Sequence, residues 1–174
     1  LRALNKVVPA RTTLPILSCV LFSSDGGKLS VRSTNLEVSI EFSLDAKIND
    51  PVNIAIPISK ILNVTSSLKK EDLTFSIEDN FKIKITTGFG EYNIMGVAPE
   101  DFPNKTEVVK KNSLFFSSAE LEELINYTIS SCSTDDLKPA LQGVFLNFNE
   151  AKTIFVSTDG HRLSKIEIEK KGPI

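Results

Sequence analysis

The feature that most restricts the folding of this chain is that it carries one unit twice. Pro15 and Pro139 stand 124 positions apart (139 − 15). The same interval separates Leu17 from Leu141, Val20 from Val144, Ser33 from Ser157, Thr34 from Thr158, Phe42 from Ile166 and Leu44 from Ile168, and it brings Asn35 onto Asp159. A constant interval through a helix, a hairpin, a turn and a further strand leaves little room for coincidence. A period this long marks a duplicated domain and not a solenoid, whose repeats run to about 20–50 residues. At this offset Leu1 falls on Ile125, so the first unit lacks the counterpart of Ser113–Leu124 and the second lacks those of Pro51–Asn112. The expectation is about one and a half modules of a longer protein, with domains at 1–112 (without its first strand) and 113–174. The second sheet would then have a bare edge and an uncovered face, to be closed by a partner chain or by further residues.

Periodicity supplies the elements. Leu1, Leu4, Val7 and Val8 share one helical face, which ends at Pro9. Alternating runs predict strands at Ile16–Phe22, Lys28–Ser33, Glu37–Leu44, Val52–Ile56, Leu73–Ile77, Phe81–Thr86 and Glu91–Val97. A helix opens after Pro57 with Ser59 as its N-cap, and its inner face is Ile61, Leu62, Val64, Thr65 and Leu68. Ala98–Asn112 has the composition of a connector. The second unit adds a strand at Ser113–Ser117, a capping box from Ser117 to Glu120, and a helix at Ala119–Ser131 facing inward through Leu121, Leu124, Ile125, Thr128 and Ile129. A strand at Leu141–Phe148 follows. The fold class is therefore α+β, with antiparallel sheets.

Charge and cysteine use exclude several functions. A net charge of −2 gives no bulk support for tight binding to a polyanion, so any such contact needs a local basic surface. With one His, and with Cys19 and Cys132 far apart in apolar patterns, no metal-ligand spacing occurs and no cofactor is expected. The two thiols fit a reducing, cytoplasmic compartment. No apolar run has the length of a membrane span, and no membrane role is expected.

The run Ser157-Thr158-Asp159-Gly160-His161-Arg162-Leu163 joins two strand patterns through an Asp-Gly turn and holds the only His. Three readings stand: a solvated turn, a hydrolase using Ser157, Asp159 and His161, and a binding edge on a sheet. A duplicated interaction domain without a DNA role is a further possibility.

Thr13-Leu14-Pro15-Ile16-Leu17, Ser33-Thr34-Asn35-Leu36-Glu37, Asp101-Phe102-Pro103 and the 157–163 run, in this order and spacing, resemble the bacterial sliding clamps, the beta subunit of DNA polymerase III. Asn35 stands where the first Thr-Asp-Leu-Glu motif usually has Asp. The resemblance implies modules whose helices line an inner concave face, closed by two chains head to tail into a ring around duplex DNA. It implies a non-enzymatic processivity factor whose partners are double-stranded DNA, the polymerase III catalytic subunit, the clamp loader, and other replication and repair proteins, with a homodimer when full length. It places a partner-peptide pocket at Leu141, Thr158, Gly160, His161, Arg162 and Leu163, DNA-facing residues at Arg11 and Lys60, and a dimer seam at Tyr92 and Ile94. Arg2, Lys6, Lys69 and Lys70 are further basic candidates for the DNA side. Ser59 and Asp135 stand where some relatives have polar or basic DNA contacts, and Glu120, Glu122 and Glu123 make the inward face of the second helix less basic than expected of a DNA-facing surface.

Overall fold

The computed structural model describes residues 1–68, 71–105, 114–149 and 151–169. The chain forms two compact units, Leu1–Lys105 and Thr106–Ile174. The expected boundary at 112/113, Lys69 and Lys70 lie outside the described residues.

Unit 1 begins with α1 (Arg2–Asn5) and a 3₁₀ turn at Pro15–Ser18. Then come β1 (Cys19–Asp25), β2 (Lys28–Thr34), β3 (Ser39–Asp45), β4 (Asn53–Pro57), α2 (Ile58–Ser67), β5 (Thr74–Ile77), β6 (Lys82–Thr86) and β7 (Glu91–Met95). The strands form two antiparallel sheets, β3-β2-β1-β4 and β5-β6-β7. A bridge joins them, with Val97 N–H donating to the Ala55 carbonyl at 2.8 Å and Ala55 N–H to that of Val97 at 3.1 Å. Gly96 precedes this bridge. A Cβ there would lie 2.8 Å from Ile54 Cδ1 and 3.0 Å from the Phe81 carbonyl oxygen, so only glycine lets the chain pass this close to β4.

The two-residue period of β1 and β4 divides the core between the sheet faces. On one face Val20, Phe22, Val31, Ile54 and Ile56 pack under Leu4 of α1 and Ile58 and Ile61 of α2, together with Ile83, Ile85 and Ile94. On the other, Cys19 and Ala55 pack with Ile16, Leu17 and Phe102. Both helices of unit 1 thus cover the same side, and Arg2, Lys6 and Lys60 remain exposed on them.

Unit 2 contains α3 (Ser118–Ile129), a 3₁₀ turn at Pro139–Leu141, β8 (Phe145–Phe148), β9 (Lys152–Thr158) and β10 (Leu163–Glu169), in the sheet order β10-β9-β8. The 124-residue shift carries the ends of β2, Lys28 and Thr34, onto Lys152 and Thr158 of β9. It carries the ends of β3, Ser39 and Asp45, onto Leu163 and Glu169 of β10. The interior repeats as well. Ser33 Oγ donates to the Leu4 carbonyl at 3.0 Å, and Ser157 Oγ donates to the Thr128 carbonyl, one module later. The repeat read from the sequence is therefore a repeat of hydrogen bonds. β1 has β4 on its outer side, whereas its counterpart β8 has no second strand neighbour among the described residues.

Several expectations require correction. The strands expected at Ile16–Phe22 and Leu141–Phe148 begin later, because Pro15 and Pro139 each start a 3₁₀ turn. Proline presets φ for such a turn, and Ser18 Oγ closes the first by donating to the Pro15 carbonyl at 2.6 Å. Ser59 does not cap α2: Pro57 holds the N-cap position, without a side-chain cap. Residues 114–117 form no strand. The capping box of α3 is present, with Glu120 N–H donating to Ser117 Oγ at 3.2 Å and Ser117 N–H to Glu120 Oε2 at 3.2 Å. Its inner face is narrower than expected: Leu124 and Thr128 are buried, while Leu121 and Ile129 are exposed.

Each carbonyl also accepts a backbone donor, Val7 N–H for Leu4 at 3.1 Å and Ser131 N–H for Thr128 at 3.0 Å, so removing either serine hydroxyl loses one buried hydrogen bond between helix and sheet, worth about 0.5–1.5 kcal/mol. Ser33→Ala and Ser157→Ala are each expected to lose about that much in urea denaturation, with the m-value unchanged. A loss below about 0.5 kcal/mol would mean that the serine bond adds nothing to the seating of the helix.

Candidate partner-binding turn and strand edge

The 158–163 turn is built by two side chains. Thr158 Oγ1 accepts the Gly160 N–H at 3.1 Å and donates to the Arg162 carbonyl at 2.6 Å. Asp159 Oδ1 accepts the N–H groups of His161 at 2.9 Å and Arg162 at 3.0 Å. Its Oδ2 takes Arg162 Nε at 2.9 Å. Those two amides, and then the guanidinium, hold the Asp159 carboxyl at about 2, below the usual carboxylate range. Gly160 has φ +94°, the left-handed region that this turn demands at its third residue.

Unit 1 has the same turn with a different surface. Thr34 Oγ1 accepts the Leu36 N–H at 3.0 Å and donates to the Val38 carbonyl at 3.0 Å. Asn35 Oδ1 accepts the N–H groups of Glu37 at 3.0 Å and Val38 at 2.7 Å. The amide oxygen of Asn35 thus does the structural work of the Asp159 carboxylate. Leu36 takes the position of Gly160 with φ +80°, at a strain of about 1–2 kcal/mol for a side chain with a Cβ.

The six residues expected to line a partner-peptide pocket all fall in unit 2, on the sheet face away from α3 or in the turn at its edge. Thr158 ends β9 with its side chain facing away from the buried Ser157, and Leu163, opposite it in register, is 63% exposed. His161 and Arg162 are exposed at the tip of the turn, and Leu141 is half-buried at the end of the 3₁₀ turn. Phe145, 64% exposed, escaped the sequence reading. It lies opposite Val156 on the same sheet face, and its counterpart Leu21 packs with Leu17, the counterpart of Leu141. The outward positions of an alternating run, checked against the other module, could have found it. Two hollows of about 420 and 440 Å³ in unit 2 lie along α3, against Tyr127 and against Leu124, Ile166 and Ile168, and not at the turn.

The hydrolase reading does not survive this geometry. Ser157 Oγ is committed to the Thr128 carbonyl inside the core, and Asp159 meets His161 through its backbone N–H. A nucleophile–base pair requires the serine and imidazole to converge, and here they lie on opposite sides of the strand and its turn.

The other candidates separate. Arg11 is exposed in the loop after α1, and Lys60 on the first turn of α2. β7, like β5, is an edge strand of its three-stranded sheet among the described residues. Tyr92 on it is 36% exposed, but Ile94 is 7% exposed and belongs to the core of its own unit. Ile94 is therefore not free to pack elsewhere, and Met95, 58% exposed, is the outward apolar neighbour. Among the described residues no cluster of three or more His, Cys, Asp or Glu could hold a metal, and no helix is long and apolar enough to cross a membrane.

Comparison with known proteins agrees with the duplicated fold. The "Beta sliding clamp" of Synechococcus elongatus is 31% identical over 172 residues, covering 97% of this chain and 46% of the relative. That of Staphylococcus aureus is 28% identical over 174 residues. The chain spans about half the length of these curated relatives. Among solved structures, the polymerase III beta of Caulobacter crescentus matches with a TM-score of 0.86 at 30% identity, covering 98% of this chain and 48% of that one. The Pseudomonas aeruginosa beta subunit matches with a TM-score of 0.88 at 28% identity, covering 99% and 47%. Residues 1–106 match the family described as DNA polymerase III beta subunit, N-terminal domain, and residues 116–172 match its central domain, so the chain belongs to the DNA polymerase III beta subunit family.

Proposed function

We propose that this chain is part of a sliding clamp that encircles duplex DNA and tethers a replicative polymerase, without catalysing a reaction itself. The observation that carries the reading is the duplication, hydrogen bond for hydrogen bond, of one helix-backed sheet in a chain of this family. Domains at 1–112 and 113–174 belong to the same reading. A ring that slides needs weak, sequence-independent contact, because each neutralised phosphate adds affinity and salt dependence. Exposed Arg11 and Lys60, with Arg2 and Lys6 on the helix side of unit 1, supply scattered positive charge in a chain of net charge −2. The complete protein, loaded on nicked circular DNA, is expected to stay on the circles and to leave when they are linearised. Equal retention on linear DNA with open ends would refute topological tethering.

The outer side of unit 2 is the module's contribution to a peptide pocket for the polymerase, the loader and other partners. Leu141 and Leu163 offer apolar surface, Gly160 allows a backbone to approach, and Arg162 offers a stem and donors. Arg162→Ala or Leu141→Ala in the complete protein is expected to weaken binding of a partner peptide about tenfold, on the scale of a lost anchor of ~1.4 kcal/mol, with thermal stability retained. Unchanged affinity would remove these residues from the pocket.

Asp159 should act through shape. Asp159→Asn, which copies Asn35, is expected to keep the turn and most peptide affinity, whereas Asp159→Ala should lose both. The folded-state pKa of Asp159 lies below its ordinary value, so the carboxylate's contribution is complete above about 4 and fades as pH falls through about 2. Peptide affinity between pH 5 and 8 should therefore carry no Asp159 titration. A transition in that window that Asp159→Asn abolishes would contradict this.

For the seam, the exposed edge of β7 can extend a partner's sheet, with Tyr92 at the contact. Tyr92→Lys is expected to shift the complete protein from dimer to monomer in sedimentation while leaving the fold intact. Ile94 serves the assembly only by holding β7 in place. A dimer unaffected by Tyr92→Lys would move the seam elsewhere.

A further inference from the structure

The outer face of unit 1 carries a charged cluster whose residues do not recur in unit 2, where Lys165 at the position of Glu41 pairs with Glu167 on its own strand. Arg32, 9% exposed, lies opposite Glu41 in the β2–β3 register. Its Nη2 donates to the Pro103 carbonyl at 2.7 Å, and its guanidinium carbon sits 5.0 Å from the centroid of the Phe102 ring. Glu41 accepts Ser30 Oγ at 2.8 Å on Oε1 and pairs through Oε2 with Lys105 Nζ at 2.6 Å. Two strand residues thus grip three residues of the segment on which the chain leaves unit 1. Phe102, 5% exposed, sits beneath the grip against Ile16, Leu17 and Cys19, and its N–H donates to the Pro99 carbonyl at 2.9 Å.

The duplication provides an internal control. At the 124-residue offset Ser30, Arg32 and Glu41 become Ile154, Val156 and Lys165. The strand and its pairing are the same in both modules, so the sheet itself needs no arginine at this position. Burying a guanidinium is unfavourable unless partners satisfy it, and every partner described here either belongs to the 102–105 segment or pairs with it. The cation–π contact and the charge-assisted bond to a carbonyl supply that compensation.

We propose that Arg32 and Glu41 are positioning residues: an electrostatic latch that holds residues 102–105 on β2 and β3 and so fixes the point at which the chain leaves the first module. Tandem modules that act as a rigid frame need that exit fixed, whatever the frame encloses. The pair acts through the exit segment and touches no DNA or partner peptide.

The test uses the complete protein with Arg32→Val, which installs the second module's residue at the equivalent position. Amide exchange over 99–105 is expected to rise at least tenfold, while amides of β1, β2 and β4 stay within twofold. The dipolar distance distribution between spin labels at Asp79→Cys and Asn147→Cys, in a Cys132→Ser background, is expected to broaden. Glu41→Gln should give a smaller change in the same direction, because it frees Lys105 but leaves the Arg32 contacts. An even rise in exchange over the whole unit, or no change in exchange or distance width, would overturn the latch. Should Arg32→Val fail to fold, Arg32→Lys keeps the charge and removes the planar fork. It is expected to raise exchange over 99–105 selectively, and an unaltered segment there would equally overturn the proposal.

Discussion

One serine hydroxyl per module ties helix to sheet, and the site depends on it. A carbonyl at the end of a helix has two lone pairs; those of Leu4 and Thr128 each take one N–H from the following turn, Val7 and Ser131, and have room for a second donor. Ser33 and Ser157 supply that second donor, and theirs is the bond that reaches the helix from the sheet. Because strand residues alternate in direction, the next residue, Thr34 or Thr158, points to the other face. There its hydroxyl closes the turn by bonding two and four residues ahead. A Ser-Thr dipeptide therefore performs two tasks on two faces. It seats the helix on one side and shapes the candidate binding turn on the other. Displacing the helix would move the strand end from which the turn is built.

Much of this was legible in the sequence because it is local. The capping box of α3 lies within four residues, and the Thr–Asx turn within five, so residue type and spacing identify them. The duplication was legible because it needs only a comparison of the chain with itself. The two strands that start late were missed for a local reason too: Pro15 and Pro139 sit inside alternating apolar runs, and the backbone restraint of proline outweighs the pattern. Burial was the least legible property. Tyr92 and Ile94 share a strand face, yet only Ile94 reaches the core, since that depends on α2 and β4 arriving over it. Leu121 and Ile129 fit an inner helical face and are exposed, because an apolar stripe is buried only as far as the sheet extends beneath it. Phe145 was missed for the same reason in reverse, as nothing in an alternating run says which face will remain open.

The two modules kept the helix side and diverged on the other. Inward, Val31 and Phe155 are both fully packed, and each serine bond is retained. Outward, unit 1 is closed by its own chain: Phe102 fills the space over Leu17 and Cys19, and Arg32 secures it. In unit 2 the corresponding residues are Leu141, Gly143 and Val156, and Phe145 and Leu163 beside them stay exposed. A module whose outer face is filled from within has little apolar surface left there to offer a partner. A module whose outer face is open, and rimmed by a turn carrying Gly160 and Arg162, has that surface together with a polar anchor. The turn residues follow the same division. Unit 1 accepts a strained Leu36 and unit 2 has an unstrained glycine, so the unit with the open face is also the one whose turn lets another backbone come close. Duplication fixed the frame twice, and the outer faces then diverged, one filled by its own chain and the other left open.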